Sequence, residues 1–119
     1  MKHDFFLEPP NLLVMRLRGV WTPEEVLIMN DQALEIVGDM TEVNFLADVT
    51  ELDEMPPKTR ETLIKNQMPF TYLKMALVAK KTSLKVLGSL IFKMMPKVKK
   101  NKSFTSEEEA RAIVDTGYS

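Results

Sequence analysis

Hydrophobic and polar positions change period several times along the chain, and each change marks an element. His3 to Leu7 is a short apolar-rich run that stops at Glu8-Pro-Pro-Asn11. Proline fixes φ and has no N–H to donate to a ladder, so the run predicts a strand and the Pro pair a turn. From Leu12 to Val20 the period is two, with Leu13, Met15, Leu17 and Gly19 on one face. The opposite face carries Leu12, Val14, Arg16, Arg18 and Val20, and its two arginines predict that it turns toward solvent. The first twenty residues therefore read as a hairpin.

The period then becomes helical. Thr22-Pro-Glu-Glu25 offers a cap, a proline at the first helical position and a capping-box glutamate. Val26, Met29, Ala33, Ile36 and Val37 continue at helical spacing as far as Gly38. Asn44–Val49 is short and largely apolar, as a buried strand would be, and Thr50–Glu54 reads as an acidic loop. Pro56-Pro57 opens a second helix running to about Met68, ended by Pro69. Leu73–Ala79 is another buried-type strand. Thr82 or Ser83 caps a third helix that Pro96 terminates, and Val98–Phe104 mixes lysine with hydrophobics as edge strands do. Thr105 to Val114 is a capped final helix with its acids in the first turn, where the helix dipole favours them. The order is β-β-α-β-α-β-α-β-α, which predicts a single α/β domain with a mixed, mostly parallel five-stranded sheet.

Composition narrows the chemistry. With 119 residues and no cysteine, the chain builds one core without disulfides, thiolate metal sites or cysteine nucleophiles. The N-terminal segment has no long apolar run, and no stretch approaches the ~20 apolar residues of a membrane span. The expectation is a cytoplasmic protein. His3 is the sole histidine and sits at the terminus, where a hydroxyl–His–carboxylate triad is poorly supported. No catalytic residue, cofactor or metal is assigned, and the protein reads as a non-enzyme.

Charge is balanced in total but not in distribution. The net charge is −1, yet Met1–Pro57 carries 12 acids against 3 Lys/Arg, and Lys58–Ser119 carries 13 Lys/Arg against 5 acids. Either the halves neutralise each other on folding or they form an electrostatic surface. The basic half has no nucleic-acid-binding motif and only Phe92 and Phe104 among its lysines, so nucleic acid is not an expected partner. In the acidic half, Asp48, Thr50 and Glu51 lie where a central strand ends. They form a candidate polar site at the carboxyl edge of the sheet, where α/β proteins bind ligands. Oxygen ligands there suit Mg²⁺ or Ca²⁺, but the spacing fits no EF-hand and no phosphate-binding glycine loop, and a solvated loop is the simpler reading.

Layout and local pieces together resemble the SpoIIAA-like family, the STAS/SEC14-type small bacterial domains. Gly19-Val-Trp-Thr-Pro-Glu-Glu25 stands where that family passes from its second strand to its first helix, and Phe45-Leu-Ala-Asp-Val49 resembles its central strand ending in Asp. Met75–Ala79 with Val86–Phe92 is similar to its fourth strand and third helix, and Phe104–Ala110 to its last strand and acid-started helix. The resemblance implies a non-catalytic domain that binds a protein or ligand. In the family's anti-sigma-factor antagonists a serine at the start of the helix after the central strand is phosphorylated. Here the Asp-Ser-Ser type motif is absent, Pro56 and Pro57 occupy that start, and the nearest hydroxyls are Thr50 and Thr59.

The third helix is the main functional lead. On a helical projection Lys85, Ser89 and Lys93 share one wedge, and the remaining roughly 240° is apolar, more than one sheet-facing stripe requires. The surplus faces a neighbouring helix, a second subunit, a ligand cavity or a lipid surface. The candidate surface for a protein partner, self-association as a homodimer, or an anionic membrane is Phe92, Lys93, Met94, Met95, Lys97, Lys99 and Lys100. The SEC14 part of the resemblance implies a lipid or apolar small-molecule binder as the alternative.

Overall fold

A computed structural model describes residues 2–95 and 97–116, with the side chains of the last two of these left undescribed. The elements are β1 (Asp4–Glu8), β2 (Leu12–Val20), α1 (Pro23–Val37), β3 (Glu42–Glu54), α2 (Pro57–Lys65), β4 (Thr71–Val78), α3 (Thr82–Lys93), β5 (Val98–Phe104) and α4 (Glu107–Thr116). The strands lie in the sheet in chain order, with β1 antiparallel to β2 and all later pairs parallel. Crossovers between parallel strands are right-handed. Adding every new strand on the same side therefore places α1, α2 and α3 on one sheet face. α4 follows the last strand and covers the other.

Two apolar layers result. The larger lies between the sheet and α1–α3 and includes Leu13, Leu17, Val26, Val43, Leu52 and Leu77, all nearly or fully buried. The smaller joins Leu12, Val14, Leu46 and Val78 to Ala110 and Val114 of α4. Burying each Leu or Val of this kind contributes about 1.5–3 kcal/mol relative to exposure.

α1 begins with the expected capping box, in which Glu25 N–H donates to Thr22 Oγ1 (3.2 Å) and Thr22 N–H to Glu25 Oε1 (2.9 Å). It ends at Gly38, whose positive φ of 58° a side chain would resist. Several expectations need correction. Thr50–Glu54 is not a loop: β3 continues through it, pairing with β2 across a register shift between Arg16 and Arg18 that lets Leu52 point into the core. α2 stops at Lys65, short of Met68, where Asn66 N–H donates to Thr62 O and the Asn66 side chain reaches the same carbonyl. α3 is preceded by Lys81 without a side-chain cap, so neither Thr82 nor Ser83 serves there. Its helix ends at Lys93, and Pro96 lies outside the described residues. The face of β2 bearing Arg16 is covered by α4 and is only partly solvated.

Candidate functional site

α3 divides its residues sharply between two sides. Gly88 allows the close approach to β4: a Cβ there would lie 2.4 Å from Leu77 Cδ2. Gly88, Ile91, Phe92 and Met95 follow the spacing of one inward ridge and are buried. Phe92 and Met95 are therefore core residues, not surface residues as the sequence suggested, because the inward stripe passes through them. The outward side carries Val86, Leu90 and Met94, four residues apart, at 55%, 53% and 58% exposure. Val86 and Leu90 were missing from the sequence-derived site, although their spacing from Met94 was the signal that could have found them.

The lysines frame this ridge unevenly. Lys93 is exposed, Lys85 half-buried, and neither has an ion-pair partner among the described residues. Lys97 is exposed, and its Nζ donates to Pro69 O. Lys99 lies 3.9 Å from Glu42, and Lys100 is exposed on β5.

The carboxyl-edge residues have a different setting. Register puts Asp48 beside Arg16 of β2 and Val78 of β4, at the end of the β4 pairing. Asp48 Oδ1 accepts from Thr50 N–H (2.9 Å) and Thr50 Oγ1–H (2.7 Å). Burial, and a hydrogen bond to Glu107 from the first turn of α4, push the Asp48 carboxyl above its usual pKa. Glu107 is held at about 2, first by its bond from Arg16. Arg16 donates to both Glu107 oxygens, Nε to Oε2 at 2.8 Å and Nη2 to Oε1 at 3.0 Å. Two touching carboxyls resist joint ionisation, and the guanidinium assigns the negative charge to Glu107.

Charge pairing extends outward from there. Arg18 binds Asp4 (2.9 Å) and Glu51 (3.1 Å), and Arg111 binds Glu8 (2.6 Å). Asp48 and Thr50 thus meet each other, whereas Glu51 belongs to the separate, more exposed pairing with Arg18. These bonds tie α4 and the hairpin to the sheet. Among the described residues no group of three or more His, Asp or Glu is arranged to hold a metal.

His3 is buried although it stands next to the chain terminus. Its Nδ1 accepts from Arg18 N–H (3.0 Å), so a neutral ring carries its proton on Nε2, 3.3 Å from Glu25 Oε1. Burial raises the Glu25 pKa, but the Thr22 N–H, His3 and Lys2 outweigh it and hold the carboxyl at about 2. Nδ1 thus ties the N-terminal segment to β2, while Nε2 lies against the Glu25 carboxylate at the start of α1. The two hydroxyls nearest the start of α2 are also engaged: Thr59 is fully buried and donates to Trp21 O at 2.6 Å, and Thr50 bonds Asp48.

Between the sheet and α1–α3 lies an apolar cavity of about 90 Å³. Six of the nine methionines, Met15, Met29, Met55, Met68, Met75 and Met95, line it, together with Trp21. Methionine is unbranched and readily changes rotamer, so this lining is adaptable. No described helix is long and apolar enough to cross a membrane.

No family model and no curated protein matches the chain. Solved structures do. An uncharacterised protein of the DUF3478 family from Shewanella loihica PV-4, described as having a SpoIIAA-like fold, superposes with a TM-score of 0.73 at 16% identity, covering 92% of this chain and 91% of that one. The anti-sigma factor antagonist SpoIIAA in its unphosphorylated form superposes with a TM-score of 0.59 at 14% identity, covering 95% of this chain and 97% of that one. The matches span the sheet and both helical layers, and the chain has the SpoIIAA-like fold.

Proposed function

We propose that the protein is a non-enzymatic regulatory binding domain acting through protein contact, with the outward side of α3 as its contact surface. The observation that carries this reading is the exposed ridge Val86-Leu90-Met94 on α3, beside Lys85 and Lys93, which have no ion-pair partner among the described residues. An apolar ridge rimmed by like charge suits a protein interface: burial supplies affinity and the rim supplies orientation. Met94 at its end adapts to partner shape. The likeness to an anti-sigma factor antagonist supports a regulatory setting at the level of fold. The carboxyl-edge cluster supports catalysis less well, because Asp48, Thr50 and Glu107 are tied to Arg16 and to one another.

The test is affinity purification of the tagged chain from its native cells, wild type against Leu90→Asp, with partners identified by mass spectrometry. A protein captured by the wild type and lost by the variant supports the reading. An identical set of captured proteins contradicts it. Flotation with anionic and neutral vesicles separates a membrane from a protein as the occupant.

A second reading, an apolar small-molecule binder, is favoured by the methionine-lined cavity. Its volume of about 90 Å³ compares with roughly 150 Å³ for a buried apolar cavity that takes benzene, which suits a small apolar fragment and not a long acyl chain. Trp21, the only tryptophan, borders the cavity and reports its occupancy by fluorescence. A saturable change on titration with benzene or a short alcohol supports this reading; an unchanged spectrum contradicts it.

A further inference from the structure

We propose that the α3 ridge docks the outward face of α1 in a second copy of this chain. This rests on the reading of α3 as a protein-contact surface and names the partner. The first observation is a second exposed apolar face. α1 turns Leu27, Ile28 and Leu34 to solvent, interleaved with the exposed acids Glu24, Asp31 and Glu35. None of these acids has an ion-pair partner among the described residues; Glu25, the one acid of α1 that does, points instead to Lys2 and His3.

The second observation is charge. From Gly19 to Pro57 the chain contains no Lys, Arg or His, and from Thr62 to Ser106 it contains no Asp or Glu. α1 therefore lies in a wholly acidic segment and α3 in a wholly basic one. Folding leaves this separation in place, because α1 packs beside β1 and α2 while α3 packs over β4 and β5, on the opposite flank of the same helical layer. Among the described residues no ion pair joins an acid of α1 to a lysine of α3 within one molecule.

The third observation is fit. At about 1.5 Å per residue, α1 is about 22 Å long and α3 about 18 Å, so the faces can cover each other end to end. A contact of α1 with α1, or α3 with α3, would oppose like charges and is disfavoured. α1 against α3 pairs acid with base and apolar ridge with apolar ridge. Since both faces belong to one layer, a two-fold arrangement makes this contact twice and closes the assembly.

The experiment is sedimentation velocity on the full chain, whose monomer mass is 13.7 kDa, across a concentration series at low and high salt. Wild type is expected to self-associate, more weakly at high salt. Asp31→Lys with Glu35→Lys should weaken association about tenfold or more, as should Lys85→Glu with Lys93→Glu. A chain carrying all four reversals should associate again, because each reversed face meets its reversed complement. Urea unfolding of each variant confirms that it is folded, and Leu90→Ser removes the ridge without altering charge should a reversal fail to fold.

Three outcomes overturn the inference: a wild type that stays monomeric, association that ignores the reversals, or a four-fold variant that is not restored. If the wild type is monomeric but Leu90→Asp still loses a captured cellular protein, the α3 reading stands and only the identity of the partner falls. If both fail, the α3 reading falls as well.

Discussion

Replacing Asp48 with Asn should stabilise the protein at alkaline pH, and replacing Glu107 with Gln should destabilise it. Asn at 48 keeps an oxygen for the two Thr50 donors and offers an N–H₂ where the wild type presents a carboxyl to Glu107. A hydrogen bond to a charged acceptor contributes about 1.5–3 kcal/mol, and the weaker acceptor facing Thr50 returns part of it. The expected net gain is about 1 kcal/mol. Its pH dependence follows from the raised Asp48 pKa. The folded state binds this proton more tightly than the unfolded state, so the wild type is penalised above the folded pKa. The penalty fades as pH falls to the unfolded value near 3.8.

The Asn variant's advantage should therefore be largest at pH 8 and vanish near pH 4. Glu107→Gln loses the charge in the two-bond pairing with Arg16 and leaves a half-buried guanidinium poorly matched, at a cost of about 1.5–3 kcal/mol. Urea unfolding from pH 8 to pH 4 measures both. An Asp48→Asn variant less stable than wild type at pH 8, or a Glu107→Gln variant equal to it, would refute the assignment of charge within this pair.

The two sides of α3 predict a contrast: Phe92→Ala should cost about 3–5 kcal/mol and Leu90→Ala within about 0.5 kcal/mol, and equal losses in denaturant titrations would contradict the split. Thr59→Val removes the buried donor to Trp21 O and should cost about 1–3 kcal/mol, read as a lower urea midpoint; an unchanged midpoint would show that the bond carries no net stability. Glu25 and Glu107, both held at about 2 against an ordinary 4.5, give stability that is present above pH 4.5 and lost as pH falls toward 2. Circular dichroism should show Glu25→Gln and Glu107→Gln flattening this acid transition, and a transition as steep as wild type in both would oppose it.

The hairpin, the capped start of α1 and the order of strands and helices along the chain were legible because local periodicity and proline placement govern them. The full length of β3 was not. Within Thr50–Glu54 only Leu52 is apolar, and its inward position depends on a register shift against β2 that no local pattern announces. The charged network was equally hidden, since Arg16 and Glu107, or Glu8 and Arg111, are brought together only when α4 folds back over the sheet. For α3 the excess of apolar positions was legible, but which of them face outward was not. Phe92 and Met95 went inward because Gly88 sets the side that approaches β4, and this left Val86, Leu90 and Met94 to water.

The most direct test of α3 as a contact surface is photo-crosslinking in the native cells, with a benzophenone amino acid at position 90 and, as a control, at exposed Glu61 on α2. The account predicts a discrete protein adduct from position 90 and none of that mass from position 61. Position 90 yielding no protein adduct, or the same adducts as position 61, would contradict it.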